Sequence, residues 1–377
     1  MIRRLLFVLL LVPAGCSSSD DTAPAPPAPD GLSCRSTVGA GDTVSAEQSI
    51  LSATAGTCVV LTGTSYGELP GVKAGVIVTS AKGARATVKK AILEGGTLAH
   101  IDVVGADGNG VTSDGGAMID VKVSRAKYAA LAAAAGDLTL EDVHLEASSY
   151  GLVASGAKVT AKGGRVGDNG GSGLTAGIGV VATNGARLVF DGVVIEKNQG
   201  TGILIDGKST VLDAKNMKVL DNTERGIWMQ GVEGTLDAPG MRLEDCEVAR
   251  NHIVGVGAFE SHGIIVVGGR VAETAATPVV TNLATTEPVG DGIGVFDRAG
   301  DVKIDGTLVE QNARAAGIVD GSDRGIIVVG GKVSASSSGL KFVVQNTTAS
   351  VEIGDDMKSV SDKPLGVAAS KVTVPSL

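Results

Sequence analysis

A chain of 377 residues can bury a large core, and 55 glycines with only 2% aromatics point to many short strands joined by tight turns. The formal net charge is −9, with 41 acidic against 32 basic residues, so the basic footprint of a nucleic-acid binder is missing.

The first segment reads as an address. Arg3 and Arg4 form a charged start, Leu5 to Val12 is apolar, and Pro13-Ala14-Gly15-Cys16 follows. Eight apolar residues are too few for a permanent membrane span. The Ala14-Gly15-Cys16 run resembles a bacterial lipobox, which implies that residues 1–15 are a removed leader and that Cys16 carries the lipid. Pro13 stands where the lipobox usually has Leu. Ser17 after the cysteine implies, by the enterobacterial sorting pattern, the outer membrane. Loss of Arg3 and Arg4 with the leader would take the charge to about −11. Residues 16–31, rich in Ser, Pro and Ala, read as a flexible tether with a reach of about 45 Å.

The folded body is expected over 32–377. Cys34 and Cys58 flank its start and, in an oxidising compartment, form the natural disulfide. Ala46 to Leu51 reads as a short helix, followed by the strand Thr57 to Leu61 and the turn Gly63-Thr64-Ser65-Tyr66. Short β-type runs then recur near Met118-Ile119, Leu138 to Leu140 and Val159. From there an Asn returns at 169, 198, 222, 251, 282 and 312, spaced 24–31 residues apart. Each is preceded by a β-type run such as Val193-Val194-Ile195. Each is followed by Gly and an aliphatic, as in Gly202-Ile203, Gly226-Ile227 and Gly255-Val256. A third run, such as Leu188-Val189-Phe190, completes the period. GIIVVGGRV at 263–271 returns as GIIVVGGKV at 325–333, two periods on.

Three short strands per period cannot bury a face alone. Coiled on themselves at ~4.8 Å per turn, they enclose a continuous aliphatic interior. The recurring Asn is then a stacking ladder, its amides bonding coil to coil and its backbone tolerating a left-handed turn. These residues together resemble the pectin-lyase-like, right-handed parallel β-helix superfamily over about 45–350. The resemblance implies an all-β solenoid with an N-terminal cap near 34–70 and a polysaccharide cleft along the first strand and its flanking turns. It says little about activity, because that scaffold hosts lyases, hydrolases, epimerases, adhesins and inert binders.

Two lines of residues carry potential chemistry. Strands after the third turn end in carboxylates, among them Asp191, Asp213 and Asp237, expected ~5 Å apart in successive coils. Such a row suits a Ca²⁺ site or an acid/base pair, and equally marks strand ends facing water. The third turn brings Glu260 and His262, then Asp297 and Arg298, then Asp320, Asp323 and Arg324. A mixture of imidazole, guanidinium and carboxylate suits an anionic-sugar clamp or acid/base chemistry. Trp228, the one tryptophan, should point outward between inward Ile227 and Met229, either to stack on a sugar or to pack under a loop. Cys246 reads as a buried, inert thiol.

The catalytic signatures of the superfamily are missing. Ser261-His262-Gly263 and Asp355-Asp356 are the nearest matches to the polygalacturonase-like G-H-G and paired Asp. The pectate-lyase W-x-D-H and R-x-P-x-x-R and the epimerase D-P-H-E are absent too. The expectation is a non-catalytic envelope lipoprotein, membrane-tethered by its lipid, that binds a glycan or protein partner or acts as a spacer. The alternative is a divergent lyase or glycoside hydrolase acting on an acidic polysaccharide.

Overall fold

In the computed structural model the described residues are 32–170, 177–361, 363–367 and 370–374. The leader, Cys16 and the tether lie outside them. The chain forms a parallel β-helix of three walls. Wall A is a ladder of 14 parallel strands that includes Asp137–Glu141, Lys158–Lys162, Arg187–Asp191, Val211–Lys215, Met241–Glu244, His262–Val267, Gly300–Asp305 and Ile326–Val329. In the body of the helix a wall A strand leads through a short turn to wall B, for example Val194–Glu196, and then through the ladder turn to wall C, for example Ile203–Asp206. Walls B and C belong to one 24-stranded network, because Ala86–Glu94 pairs with strands of both. The 263–271 and 325–333 repeat is two coils apart as expected, since Ile264 pairs with Val302 and Val302 with Ile326.

Strand alternation decides what lies inside. In Arg187–Asp191 the core takes Leu188 and Phe190, while Arg187 and Asp191 face water. Repeated in every coil, this gives one continuous aliphatic core from Ala40 to Ile353. Each fully buried Val, Leu or Ile stabilises it by about 1.5–3 kcal/mol before chain entropy is counted. The N-terminal end is closed by the helix Thr43–Ser52, which turns Ala46 and Ile50 into the core. Asp42 and Ser45 begin it with a reciprocal capping box. The expected turn tyrosine closes the cap, because the Tyr66 hydroxyl donates to the Ala40 carbonyl at 2.7 Å and accepts from the Gly63 N–H at 2.6 Å. Cys34 and Cys58 form a disulfide with a Cα–Cα distance of 5.6 Å.

The ladder is present and buried, but its membership differs from the spacing-based reading. Asn169, Asn198, Asn222 and Asn251 bond in sequence, each side-chain amide donating to the next Oδ1 at 2.8–2.9 Å. The following position in register is Thr274, not Asn282. Asn282 lies in the loop of an antiparallel hairpin between Thr277–Val280 and Thr286–Phe296, an insertion that the spacing hid. The ladder resumes at Asn312, whose Oδ1 accepts from the Thr274 N–H. The left-handed residue is also not the Asn. It is the one before it, with Asp168, Lys197, Asp221 and Arg250 at φ of 55°, 54°, 57° and 55°. The glycine after each ladder Asn has a packing reason. A Cβ on Gly226 would lie 2.4 Å from the Gly255 carbonyl oxygen and 2.9 Å from the Asn251 amide.

Wall C has a second apolar face, pointing outward. Leu204, Trp228 and Ile318 are fully buried there, under the hairpin and the C-terminal segment. Trp228 thus points away from the core, as alternation requires, yet is 0% exposed and offers no stacking surface to a ligand. Its Nε1 donates to Gln230 at 3.1 Å, and Phe259 and Phe296 lie 6.4 Å and 6.0 Å from it, ring centre to ring centre. Cys246 is buried and unbridged, and burial pushes its thiol up to about 11.

Candidate functional site

Turns from wall C to wall A stack above one another, so residues from successive coils meet in one groove. Sharp left-handed corners at Glu260, Asp297 and Arg298, with φ of 46°, 46° and 63°, turn the chain there. The Ser261 hydroxyl fixes the corner from inside, accepting from Val232 N–H and donating to the Phe259 carbonyl. Outside lies an open groove of about 570 Å³. Glu260, His262, Arg298, Asp323 and Arg324 of the expected line reach it, joined by Asp206, Lys208 and Glu233 from two earlier coils and by Lys371 from the C-terminal segment.

The groove balances four carboxylates against four cations, on a chain whose net charge is −9. Most of these charges hold one another. Glu260 accepts from Arg298 at 2.6 Å and Lys371 at 2.7 Å, and the Lys371 hydrogen bond foremost keeps its carboxyl below the usual range. Lys208 and Glu233 pair at 2.8 Å, and Arg324 reaches Asp301 at 3.1 Å. The His262 ring is half-buried and its Nδ1 has no hydrogen-bond partner. Burial first, then the Arg324 charge, lower its pKa from 6.5, so it is neutral at pH 7.

Two members of the expected line fall elsewhere. Asp320 ends a wall C strand, nearly buried, and accepts from Asn282 and Asn346 side chains. Asp297 is exposed beside Arg298, outside the groove lining.

The carboxylate row is corrected by register. In the strand-end column Glu141, Lys162, Asp191, Lys215 and Glu244 follow one another, so charges alternate in sign. Asp213 sits mid-strand, opposite Val189 and Arg242, and Asp237 lies in the loop before Met241–Glu244. Asp213 and Asp237 share a hollow of about 350 Å³ with Arg187 and Arg242, while Asp191 accepts instead from Asn216 at 3.2 Å. Among the described residues no group of three or more His, Cys, Asp or Glu side chains is placed to hold a metal ion. None of the described helices is long and apolar enough to cross a membrane.

A further cluster lies near the cap, built from residues that no sequence motif joins. His100 Nδ1 lies 2.9 Å from Asp120, which is also bound by Arg85 at 2.9 Å. Arg85 in turn bonds Asp102, so this imidazole–carboxylate pair is tied into an ion network. Lys208 and Glu233 of the groove were legible as residues of the same stacked turn. Lys371, over a hundred residues away in sequence from Glu260, gave no local signal.

A family model described as the right handed beta helix region matches residues 107–271 and 179–352. Several solved structures are similar in fold. Pectate lyase Pel9A is 14% identical, with 88% of this chain and 80% of that one covered at a TM-score of 0.37. A form of the periplasmic alginate epimerase AlgG is 12% identical, with coverages of 81% and 77% and a TM-score of 0.48. The A-module of the Azotobacter vinelandii mannuronan C-5 epimerase AlgE6 is 11% identical, with coverages of 85% and 94% and a TM-score of 0.38. Among curated proteins no match is found.

Proposed function

The chain belongs to the right-handed β-helix region family, and from that premise we propose that it is an exported, lipid-anchored envelope protein that holds a polar glycan strand in its third-turn groove without cleaving it. The observation that carries this reading is the pairing of charges in the groove. Glycoside hydrolysis by the usual two-carboxylate route needs a carboxylic acid kept protonated near neutral pH beside a second carboxylate. Glu260 has the opposite environment, since Lys371 and Arg298 hold it ionised. His262 is neutral and able to accept a proton, but no carboxylate orients its Nδ1, as a dedicated general base would require.

Binding, by contrast, suits the site. Arg298 and Arg324 have side chains 64% and 50% exposed, so they can exchange a protein carboxylate for a uronate with little desolvation cost. The Cys34–Cys58 disulfide supports export to an oxidising compartment.

The test is to titrate the purified chain with acidic and neutral polysaccharides, with and without Ca²⁺, following both binding and chain length. Saturable binding of an acidic glycan, weakened in Arg298→Ala and Arg324→Ala with no shortening of the polymer, is expected. Depolymerisation that disappears in His262→Gln or Asp323→Asn would establish the enzymatic alternative instead. The anchor is tested separately: Cys16→Ser should move the protein from the membrane fraction to the soluble one, and retention would reject lipidation.

A further inference from the structure

The outward face of wall C is apolar along most of its length, and the C-terminal segment lies across it. What holds that segment is unlike the rest of the fold. None of residues 363–367 or 370–374 belongs to a strand. Instead, amide side chains and loop backbone grip single residues of it at both the N–H and the carbonyl.

Gln345 accepts from the Leu365 N–H at 3.0 Å and donates to the Leu365 carbonyl at 2.8 Å. Asn282 accepts from the Val367 N–H at 2.9 Å through its side chain and donates its own backbone N–H to the Val367 carbonyl at 3.1 Å. Gln230 accepts from the Val372 N–H at 2.8 Å and donates to the Val372 carbonyl at 2.9 Å. Arg314, itself fixed by the buried Asp291, donates to the Gly366 carbonyl at 2.6 Å. Val367 is buried, and Leu365, Val372 and Val374 pack against the cluster that contains Trp228.

Double amide clamps on the backbone, with pockets for aliphatic side chains, are how a groove recognises an extended peptide. We propose that the outer face of wall C is a peptide-binding groove whose ligand is this chain's own C-terminal segment, and that it accepts the same segment from a second copy. The ligand class is an extended aliphatic peptide with a cation placed to meet Glu260, as Lys371 does. The segment is retained by a few side-chain bonds and one well-buried valine rather than by a strand ladder, which places it among the first elements to open. On release it uncovers an apolar face suited to the same segment of a neighbouring molecule. The segment shares the Lys371–Glu260 pair with the groove, but the amide clamps lie outside the arginines used for the glycan, so loss of the peptide and loss of the glycan are separable.

The chain carries its own reporter, because Trp228 is the one tryptophan and Gln230 bonds both its Nε1 and Val372. In the full chain carrying Val367→Asp and Val372→Asp, the emission of Trp228 should shift to the red. A synthetic peptide of residues 363–374 should then reverse the shift saturably. Adding Gln230→Ala should weaken that peptide about tenfold, the loss of two backbone hydrogen bonds. A released chain that melts like the parent yet leaves the peptide unbound would overturn the proposal. If the double variant fails to fold, hydrogen exchange of the unaltered chain decides. Amides of Leu365, Val367 and Val372 exchanging well before that of Trp228 support the proposal, and equal protection overturns it.

Discussion

Asn222→Ala is the most informative single perturbation of the scaffold. Asn222 is fully buried, and its Oδ1 accepts two bonds from the preceding coil, from the Asn198 N–H at 3.1 Å and the Asn198 amide at 2.8 Å. Its own amide donates to Asn251 at 2.8 Å, but the Asn251 oxygen keeps a second donor in the Asn222 backbone N–H at 3.1 Å. Truncation therefore orphans two buried donors, at about 1–3 kcal/mol each, for a total of about 2–6 kcal/mol. Asn312→Ala is the internal control. That side chain accepts one bond, from the Thr274 N–H, and its own amide has no partner, so removal should cost only about 1–2 kcal/mol. Urea unfolding followed by Trp228 emission and by far-ultraviolet circular dichroism measures both. If the two probes diverge, Trp228 reports the local coil, which is the quantity wanted. A loss below about 1 kcal/mol for Asn222→Ala, or no larger than that for Asn312→Ala, would refute the coil-to-coil amide chain as a source of stability.

Gly257→Ala places a Cβ 2.4 Å from two ring carbons of Trp228, so it should destabilise by about 1–3 kcal/mol, and Trp228→Leu in the same chain should recover most of that loss in thermal melts. His262 has a folded-state pKa below its ordinary 6.5, so the folded protein binds fewer protons there than the unfolded chain. Its contribution is complete above pH 6.5 and is lost as pH falls toward the folded value; the melting temperature of His262→Gln should fall less than the parent's between pH 7.5 and 5, and identical slopes would reject the assignment. Cys246, pushed to about 11, should resist iodoacetamide at pH 8 in the native protein and react fully in urea, as mass spectrometry would show.

The fold was legible because its signal repeats. Asn169, Asn198, Asn222 and Asn251 must each meet the next coil, so the constraint returns at every period and survives variation around it. Legibility failed where an insertion broke the count. The hairpin after Thr277 offered Asn282 at a plausible spacing, while Thr274 held the real position with its backbone N–H bonded to Asn312. The acidic row failed for a related reason. Turn lengths differ between coils, so carboxylates that each follow a buried aliphatic need not share a register, and Asp213 and Asp191 fall in different columns. The third-turn line fared better because corners stack whatever their length, which brought Glu260, His262, Arg298, Asp323 and Arg324 together. Asp320 escaped it by being consumed in packing against Asn282 and Asn346, and the covering of Trp228 depends on a segment far away in sequence.

The disulfide acquires a mechanical meaning from its place in the chain. Cys34 stands just ahead of the first wall A strand, Ser36–Ala40, and Cys58 lies in the second, Thr57–Leu61. Tension entering from the N-terminal side would otherwise peel the outermost strand first and then drag out the capping helix, because a solenoid frays from its ends. The sulfur bridge carries that load past both elements into Cys58, where the second strand is flanked by ladder partners on both sides. The end strand, with one ladder partner, is bypassed by the pull, and force is delivered instead to a strand that must shear two rows of hydrogen bonds at once.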